Sequence, residues 1–124
     1  MKVVVRGSSF LAMLLGSKAN APVSGAAPLL QRGFAGGVRI GMPAIGLNVP
    51  RRELSIEAEN GVVTAIRVHS RRYKTETGIG VGDSLIKLAN QYPIRWTDDH
   101  EAEVDELKMK FQVKEDRIVS VLIS

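Results

Sequence analysis

The feature that most constrains the fold is a strict alternation of apolar and polar residues over residues 53–58, resumed over residues 62–68 after Asn-Gly. A period of two is typical of a strand with one buried face. A two-residue Asn-Gly loop would place Arg67 opposite Leu54, so we interpret residues 59–61 as a three-residue loop. This register puts on one face Leu54, Ile56, Ala58, Val62, Thr64, Ile66 and Val68.

The same pattern returns near the end of the sequence, over residues 106–113 and 117–123, around a loop at residues 114–116. The apolar positions there are Leu107, Met109, Phe111, Val113, Val119, Val121 and Ile123. A shift of 55 positions superposes the first hairpin on the second in pattern rather than identity. The sequence leaves open whether residues 36–70 and 78–124 form a degenerate repeat or match by chance.

Between the hairpins, Asp83 or Ser84 can cap a helix that ends before Pro93. An apolar stripe on this helix comprises Leu85, Leu88, Ala89 and Tyr92. We therefore predict an α+β fold over residues 36–124, with an antiparallel sheet of two β-hairpins and one short amphipathic helix packed on one face. The other face of the sheet is predicted to be polar, with Glu53, Ser55, Glu57, Arg67, Lys108, Lys110 and Gln112.

Charge is distributed unevenly along the chain. Residues 1–52 carry seven basic residues and no acidic one, whereas residues 53–124 carry ten basic and thirteen acidic residues. We interpret residues 1–35 as a signal-like or flexible basic segment, because basic residues precede the apolar residues 10–15 and an Ala-x-Ala pattern at residues 19–21. An organelle transit peptide and an ordinary helix remain alternatives. The leading interpretation predicts a periplasmic or secreted protein, with a cytoplasmic one as the alternative.

Composition excludes several classes of protein. With no cysteine, the chain has no disulfides, thiolate zinc sites or cysteine nucleophile. No apolar run is long enough to cross a bilayer as a helix. The glycines at 78, 80 and 82 match neither the dinucleotide fingerprint nor the P-loop, and the Gly-x-Ser-x-Gly and His-Glu-x-x-His motifs do not occur. The sequence thus predicts a protein without enzymatic activity or a cofactor.

A dense acidic run is a candidate site for a divalent cation, because carboxylate oxygens are the preferred ligands of hard cations. The candidate ligands are Asp98, Asp99, His100, Glu101 and Glu103. The alternative is a solvated loop, or a strand edge protected by its charges.

A basic run with an aromatic residue is a candidate contact surface for another protein. The candidate residues are Arg71, Arg72, Tyr73, Lys74 and Trp96. Ordinary solvated side chains at the end of a strand are the alternative interpretation. Nucleic acid is not the expected partner, because aromatic residues make up only 5% of the chain and offer few surfaces for stacking bases.

One resemblance to a known family rests on three motifs. Residues 78–84 read Gly-Ile-Gly-Val-Gly-Asp-Ser, the predicted helix ends at Tyr-Pro, and residues 117–121 read Arg-Ile-Val-Ser-Val. Together they resemble the small outer-membrane assembly lipoproteins and the wider group that shares the β-lactamase inhibitor protein fold. The resemblance implies an exported adaptor, inhibitor or scaffold that works by binding. The lipoproteins carry an acylated cysteine that this chain lacks, so it does not imply a lipid anchor.

Three functional hypotheses follow. The first is a non-enzymatic binding or scaffold domain that holds another protein and whose sheet edge can also pair with a second copy. The second is a module that binds a divalent metal or small ligand through residues 98–106. The third is contact with nucleic acid through the basic N-terminal region.

Overall fold

The computed structural model describes residues 28–124, which are 46% strand and 10% helix. The strands are β1 (Leu30–Gln31), β2 (Phe34–Ala35), β3 (Val38–Arg39), β4 (Leu54–Glu59), β5 (Val62–Val68), β6 (Arg95–Asp98), β7 (Glu101–Val104), β8 (Met109–Lys114) and β9 (Arg117–Ile123). One α-helix, α1 (Leu85–Gln91), and one turn of 3-10 helix (Asp105–Leu107) complete the described elements. The predicted signal-like pattern of residues 1–21 lies outside the described residues.

The α+β prediction is wrong, because the described chain is mostly β-structure. β1, β2 and β3 form a small sheet, and the other six strands form an antiparallel sheet in the order β4-β5-β9-β8-β7-β6. The five strands outside the two hairpins were not part of the predicted fold. Two-residue strands bounded by glycine turns are too short to show a period, and the acidic strands β6 and β7 resemble a solvated loop.

Both predicted hairpins exist, but each has a two-residue turn rather than a three-residue loop. Glu59 pairs with Val62, and Lys114 pairs with Arg117. All four turn residues have positive φ, from 52° to 80°: Asn60, Gly61, Glu115 and Asp116. Two consecutive positive φ values are typical of the type I′ turn, whose twist matches that of the flanking strands.

A β-bulge in each hairpin reconciles the two-residue turn with a buried face. Thr64 has no partner between the pairs Glu57–Ala65 and Ala58–Val63, and Val119 is unpaired at the same place in the second hairpin. Near the turns, the prediction of which residues face the core is therefore wrong. Ala58, Val62 and Val119 are exposed, whereas Val63 and Ile118 are buried.

Each bulged strand is bonded to a glycine-containing segment in the same way. Val63 accepts a hydrogen bond from the Gly41 N–H at 2.8 Å and donates to the Met42 carbonyl at 2.9 Å. Ile118 makes the same two bonds, of the same lengths, with residues 82–83. The two hairpin units thus correspond in their turns, their bulges and their contacts with the preceding chain.

The two hairpins join edge to edge at the centre of the large sheet. β5 pairs with β9 through Ile66–Ile123, Arg67–Leu122 and Val68–Val121. At the offset of 55, Ile66 corresponds to Val121 and Val68 to Ile123, so each residue pairs with the counterpart of the other. The junction therefore has local pseudo-two-fold symmetry about the Arg67–Leu122 pair.

One hydrophobic core includes residues of both sheets. Its largest fully buried side chains are Phe111, Leu30, Leu54, Ile66, Ile79, Leu88, Met109, Ile118 and Ile123. Leu30 precedes residue 36, so the folded part begins before the predicted domain boundary. Helix α1 buries Leu88 alone, with Leu85 and Tyr92 partly buried and Ala89 exposed. None of the helices in residues 28–124 is long and apolar enough to span a bilayer.

Candidate binding groove

Two of the predicted partner-binding residues are occupied within the fold. Tyr73 is buried, and its hydroxyl donates a hydrogen bond to Glu53 Oε1 at 2.8 Å. Arg72 Nη1 forms an ion pair with the same carboxylate at 2.9 Å, and its guanidinium lies 5.6 Å from the centre of the Tyr73 ring. Side chains fixed in this way tie the chain after β5 to the start of β4.

These contacts shift the pKa values of the groups that make them. Burial and the bond to Glu53 raise the pKa of Tyr73 to about 12. The Tyr73 hydroxyl, followed by the Arg72 guanidinium, lowers the pKa of Glu53 below its ordinary value. The hydrogen bonds thus favour a neutral phenol and an ionised carboxylate.

A third predicted residue, Lys74, belongs to a cluster around Asp83 at the start of α1. Its ammonium lies 2.8 Å from Asp83 Oδ2, and the Gly80 N–H donates to the same oxygen at 2.8 Å. Lys87 reaches the other oxygen at 3.3 Å. Partial burial raises the pKa of Asp83, but the bonds from Lys74 and Gly80 outweigh it and hold the pKa below its usual value. We infer that these bonds hold the loop before α1 in position.

The five predicted metal ligands lie in the β6–β7 hairpin, and the carboxylates of Asp98, Glu101 and Glu103 bind protein atoms. Asp98 Oδ1 accepts from the His100 N–H at 2.7 Å, and Glu101 Oε1 accepts from the Thr97 hydroxyl at 2.6 Å. Glu103 is paired with Arg95 at 2.8 Å. In the part of the chain that the structure describes, no three histidine or carboxylate side chains converge as a metal site. The metal site stays a prediction, with no ligand set at this hairpin to support it.

Trp96 and Arg71 are the predicted partner-binding residues whose side chains form no hydrogen bond or ion pair among the described residues. Trp96 is on the edge strand β6, opposite Ala102 of β7, with 46% of its surface exposed. Arg71 lines an open groove of about 430 Å³, together with Val81, Gly82, Arg117, Ile118 and Val119. We call this the Arg71–Arg117 groove.

Backbone geometry positions both arginines of the groove. Gly82 has φ of +94°, a conformation that L-residues rarely adopt. A Cβ atom at this position would lie 3.1 Å from Arg71 Nε, so the missing side chain leaves room for Arg71 to pass over the backbone. Arg117 Nη1 lies 3.5 Å from the Gly82 carbonyl oxygen. Both cationic side chains thus lie close to the same glycine.

The groove combines positive charge with an apolar floor. Within residues 28–124, neither Arg71 nor Arg117 forms an ion pair. Val119, the bulge residue of β9, is 45% exposed beside them. Guanidinium groups bind carboxylates and phosphates in a bidentate geometry, and an exposed valine offers an apolar contact. The arrangement suits an anionic group next to an apolar side chain.

Sequence reasoning predicted Arg71 but missed Arg117, Gly82 and Val119. β9 continues beyond the end of β5, and this extension brings Arg117 to the chain that follows Val68. The residues are far apart in sequence, and only the sheet order shows that they meet. The 55-residue offset could have placed Val119 in a bulge, but only if the bulge of the first hairpin had been known.

One exposed pair has the composition of a hydrolytic dyad. His69 Nε2, directly after β5, lies 2.8 Å from Oγ of Ser55 on β4. Among the described residues no carboxylate side chain hydrogen-bonds to His69, so the orienting group of a triad is not supplied there.

No protein-family model, no curated protein and no solved structure matches this chain. The resemblance stated from the sequence motifs therefore stays a prediction, and the groove is interpreted from its own chemistry.

Proposed function

We propose that the chain is a non-enzymatic binding domain that holds another protein through the Arg71–Arg117 groove. The segment it takes is an acidic one, with a carboxylate next to an apolar side chain. The observation that carries this proposal is the pair of arginines without an ion-pair partner in residues 28–124, above the exposed Val119.

A contrast with two other arginines, Arg72 and Arg95, supports this assignment. Arg72 and Arg95 are each held by a carboxylate at 2.8–2.9 Å, so their charges are used within the fold. Among the described residues, the Arg71 side chain makes no hydrogen bond and Arg117 makes only the 3.5 Å contact with the Gly82 carbonyl, so the other donors of both guanidinium groups can reach a ligand. An added carboxylate would gain charge-assisted hydrogen bonds without having to displace an internal partner.

A peptide fits the groove better than a nucleic acid does. The six lining residues include no aromatic side chain on which a base could stack. The apolar floor instead suits an aliphatic side chain of a peptide. The resemblance to exported adaptors and inhibitors supports the same class of function, since those proteins act by contact.

We also propose that this role is carried out in the periplasm or after secretion, on the signal-like pattern of residues 1–21. Sequencing the N-terminus of the natively expressed protein tests this. A mature chain that begins near Pro22 supports export, and one that begins at Met1 contradicts it.

A titration followed by NMR tests the groove directly. The probe is an acetylated Val-Glu-Val-Glu peptide amide, and the signals followed are the backbone amides of Gly82, Ile118 and Val119. We expect saturable shifts at these amides, and a Kd raised about tenfold in each of the variants Arg71→Gln and Arg117→Gln. Arg39→Gln is the matched control, because Arg39 is exposed on β3 and does not line the groove.

Two comparisons separate the possible outcomes. The same peptide with glutamine in place of glutamate should not saturate the groove, because it lacks the anion. A single-stranded oligothymidine should bind no more tightly than the acidic peptide. Shifts that persist in the Arg71→Gln, Arg117→Gln double variant, or tighter binding of the oligonucleotide, would overturn the proposal.

A further inference from the structure

Strand β9 presents one side to the core and the other to the open face of the six-stranded sheet. The small sheet and helix α1 both pack on the core side, through Leu30 and Leu88 among others. Because side chains alternate along a strand, the buried Val121 and Ile123 point to the core, and Leu122 between them points away from it. The outward side of β9 therefore lies on the face that neither the small sheet nor α1 covers.

The neighbouring strands place cationic side chains on both sides of this part of β9. Leu122 is paired with Arg67 of β5 and with Lys110 of β8, so a leucine stands between two cations in one row across the sheet. Nearer the β8–β9 turn, Arg117 of β9 is paired with Lys114 of β8. Paired residues on adjacent strands lie about 5 Å apart, so each pair forms a local concentration of positive charge.

Arg71 of the groove extends this basic surface beyond the end of β5. We call the surface the β9 band, and it comprises Arg67, Arg71, Lys110, Lys114 and Arg117 with the outward residues Val119, Ser120 and Leu122. None of its five cations forms an ion pair within residues 28–124. Glu103 lies opposite Lys110 on β7, but Arg95 binds that carboxylate at 2.8 Å. The charge of the band is therefore not neutralised by ion pairs within the described fold.

Two apolar positions on the band are separated by a hydrogen-bonded bridge. Ser120 donates to Gln112 Oε1 at 2.9 Å and accepts from Arg67 Nη1 at 3.3 Å. These bonds accompany the burial of Ser120, whereas Val119 is 45% exposed and Leu122 is partly exposed. An apolar side chain beside cationic ones thus occurs twice, once at the Arg71–Arg117 groove and once at the row of Leu122.

We propose that the β9 band binds one extended peptide segment through two acidic residues, the first in the Arg71–Arg117 groove and the second between Arg67 and Lys110. The inference rests on the proposed function, because it adds a second site to the same groove. Val119 and Leu122 are three positions apart, which is at most about 10 Å along a strand. An extended peptide covers this distance in two or three residues. The two acidic residues are therefore separated by one or two others, which include an aliphatic one.

Charge and surface chemistry together select this occupant. Five cations without ion pairs favour a ligand with more than one negative charge, since a single carboxylate would leave most of them unneutralised. The apolar positions at Val119 and Leu122 favour aliphatic side chains between the acidic ones. The band contains no aromatic side chain on which a nucleic-acid base could stack.

Two peptides of equal length test the second site with the full chain. Both are acetylated amides, and Val-Glu-Val-Glu has two acidic residues where Val-Glu-Val-Gln has one. In NMR titrations we expect the two-acid peptide to bind about tenfold more tightly, because it gains two further exposed ion pairs. It should also shift the backbone amides of Lys110 and Leu122, in addition to those of Gly82, Ile118 and Val119 in the groove.

Variants of the second site complete the comparison. Arg67→Gln and Lys110→Gln should each weaken binding of the two-acid peptide about threefold, and the double variant about tenfold. The double variant should bind the two peptides equally, within about twofold. Arg67 is hydrogen-bonded to Ser120, but the Lys110 side chain forms no ion pair or hydrogen bond among the described residues. Lys110→Gln therefore changes charge without removing an internal bond, and Arg39→Gln on β3 is the matched control.

Three results would overturn the second site. They are equal affinities of the two peptides for the wild type, a double variant that still prefers the two-acid peptide, and a single-stranded oligothymidine that shifts the Lys110 and Leu122 amides at lower concentrations than the peptide does. If the groove amides still respond to the one-acid peptide in those cases, the proposed function stands without the second site. If neither peptide shifts the groove amides, the proposed function itself is wrong, so the two failures are distinguishable.

Discussion

The two hairpin units have nearly the same backbone arrangement and different surroundings. Each has a two-residue turn, a bulge at the same relative position and paired hydrogen bonds to a preceding segment. In the first unit, ten residues (44–53) connect that segment to the hairpin. In the second unit, residues 85–108 form α1, β6 and β7 before the hairpin begins. In the longer connection, β7 pairs with β8 along the edge that corresponds to the unpaired edge of β4.

The comparison distinguishes the features that form each hairpin from the features that come from its surroundings. The turn, the bulge and the positions of the inward residues occur in both units, because both hairpins bury one face of a twisted two-stranded ribbon. The covered edge, the groove with two arginines and the open edge occur once each. At the positions of Gly82, Arg117 and Val119, the first unit has Gly41, Val62 and Thr64, none of them charged.

The largest expected effect concerns burial at corresponding positions. Phe111 is fully buried under the covered edge, whereas its counterpart Ile56 is only partly buried at the open one. Phe111→Ala should lower the free energy of unfolding by about 3–5 kcal/mol, and Ile56→Ala by less than about 2 kcal/mol. Urea denaturation of both variants measures the two losses. Equal losses would contradict the difference in burial between the units.

Sequence patterns were enough to find the four strands of the two hairpins, because burial of one face imposes a period of two. They did not give the bulges at Thr64 and Val119. A bulge moves the inward face by one residue, and whether it forms depends on bonds from distant segments such as Gly41 and Gly82. A pattern read within one hairpin carries no information about those segments.

The remaining errors also have physical causes. Residues 22–37 are rich in alanine, glycine and proline and indicate a linker. Yet Gly36 lies so close to the Tyr73 ring that a Cβ atom would be 2.5 Å from Cε2. Arg71 was predicted as a contact residue, and so was Tyr73, because both stand in one basic run. Only packing separates them, since Tyr73 is buried and Arg71 lines a groove.

A second prediction concerns the bonds from Arg72 and Tyr73 to Glu53, which have no counterpart among the described residues of the second unit. Glu53 binds Arg72 and Tyr73, whereas its counterpart Lys108 is exposed. Tyr73→Phe keeps the ring and removes the hydroxyl that donates to Glu53, so it should cost about 1.5–2 kcal/mol at neutral pH. Thermal and urea unfolding measure the loss. A variant as stable as the wild type would show that the bond contributes nothing net.

The buried Tyr73 hydroxyl that donates to Glu53 also makes the stability of the fold depend on pH, in the direction set by the raised pKa of Tyr73. The pKa of Tyr73 is raised from 10.0 to about 12 in the folded protein, so its neutral form is favoured by folding. That contribution is fully present below pH 10 and is lost as the pH rises towards about 12. The wild type should lose stability over this range, and Tyr73→Phe should lose less. Parallel losses in the two proteins would contradict this assignment.

The smallest expected effect concerns the two turns. Both have the same backbone, but the first uses Asn60 and Gly61 and the second uses Glu115 and Asp116. A positive φ is unfavourable for residues other than glycine, and least so for asparagine and aspartate. Glu115→Asn together with Asp116→Gly should therefore stabilise the protein by about 1 kcal/mol, measured as a raised urea midpoint.

Gly61→Asp is the reverse change and sharpens the comparison. A Cβ atom at Gly61 meets nothing within 4 Å, so any loss of stability comes from the backbone conformation alone. We expect a loss of about 1 kcal/mol, similar in size to the gain at the second turn. If only one of the two changes had an effect, the turns would differ in energy despite their common shape. If both changes have the expected effects, the turn sequence affects stability to a similar extent in the two hairpins, although β8 pairs with β7 at its outer edge and β4 has no such neighbour.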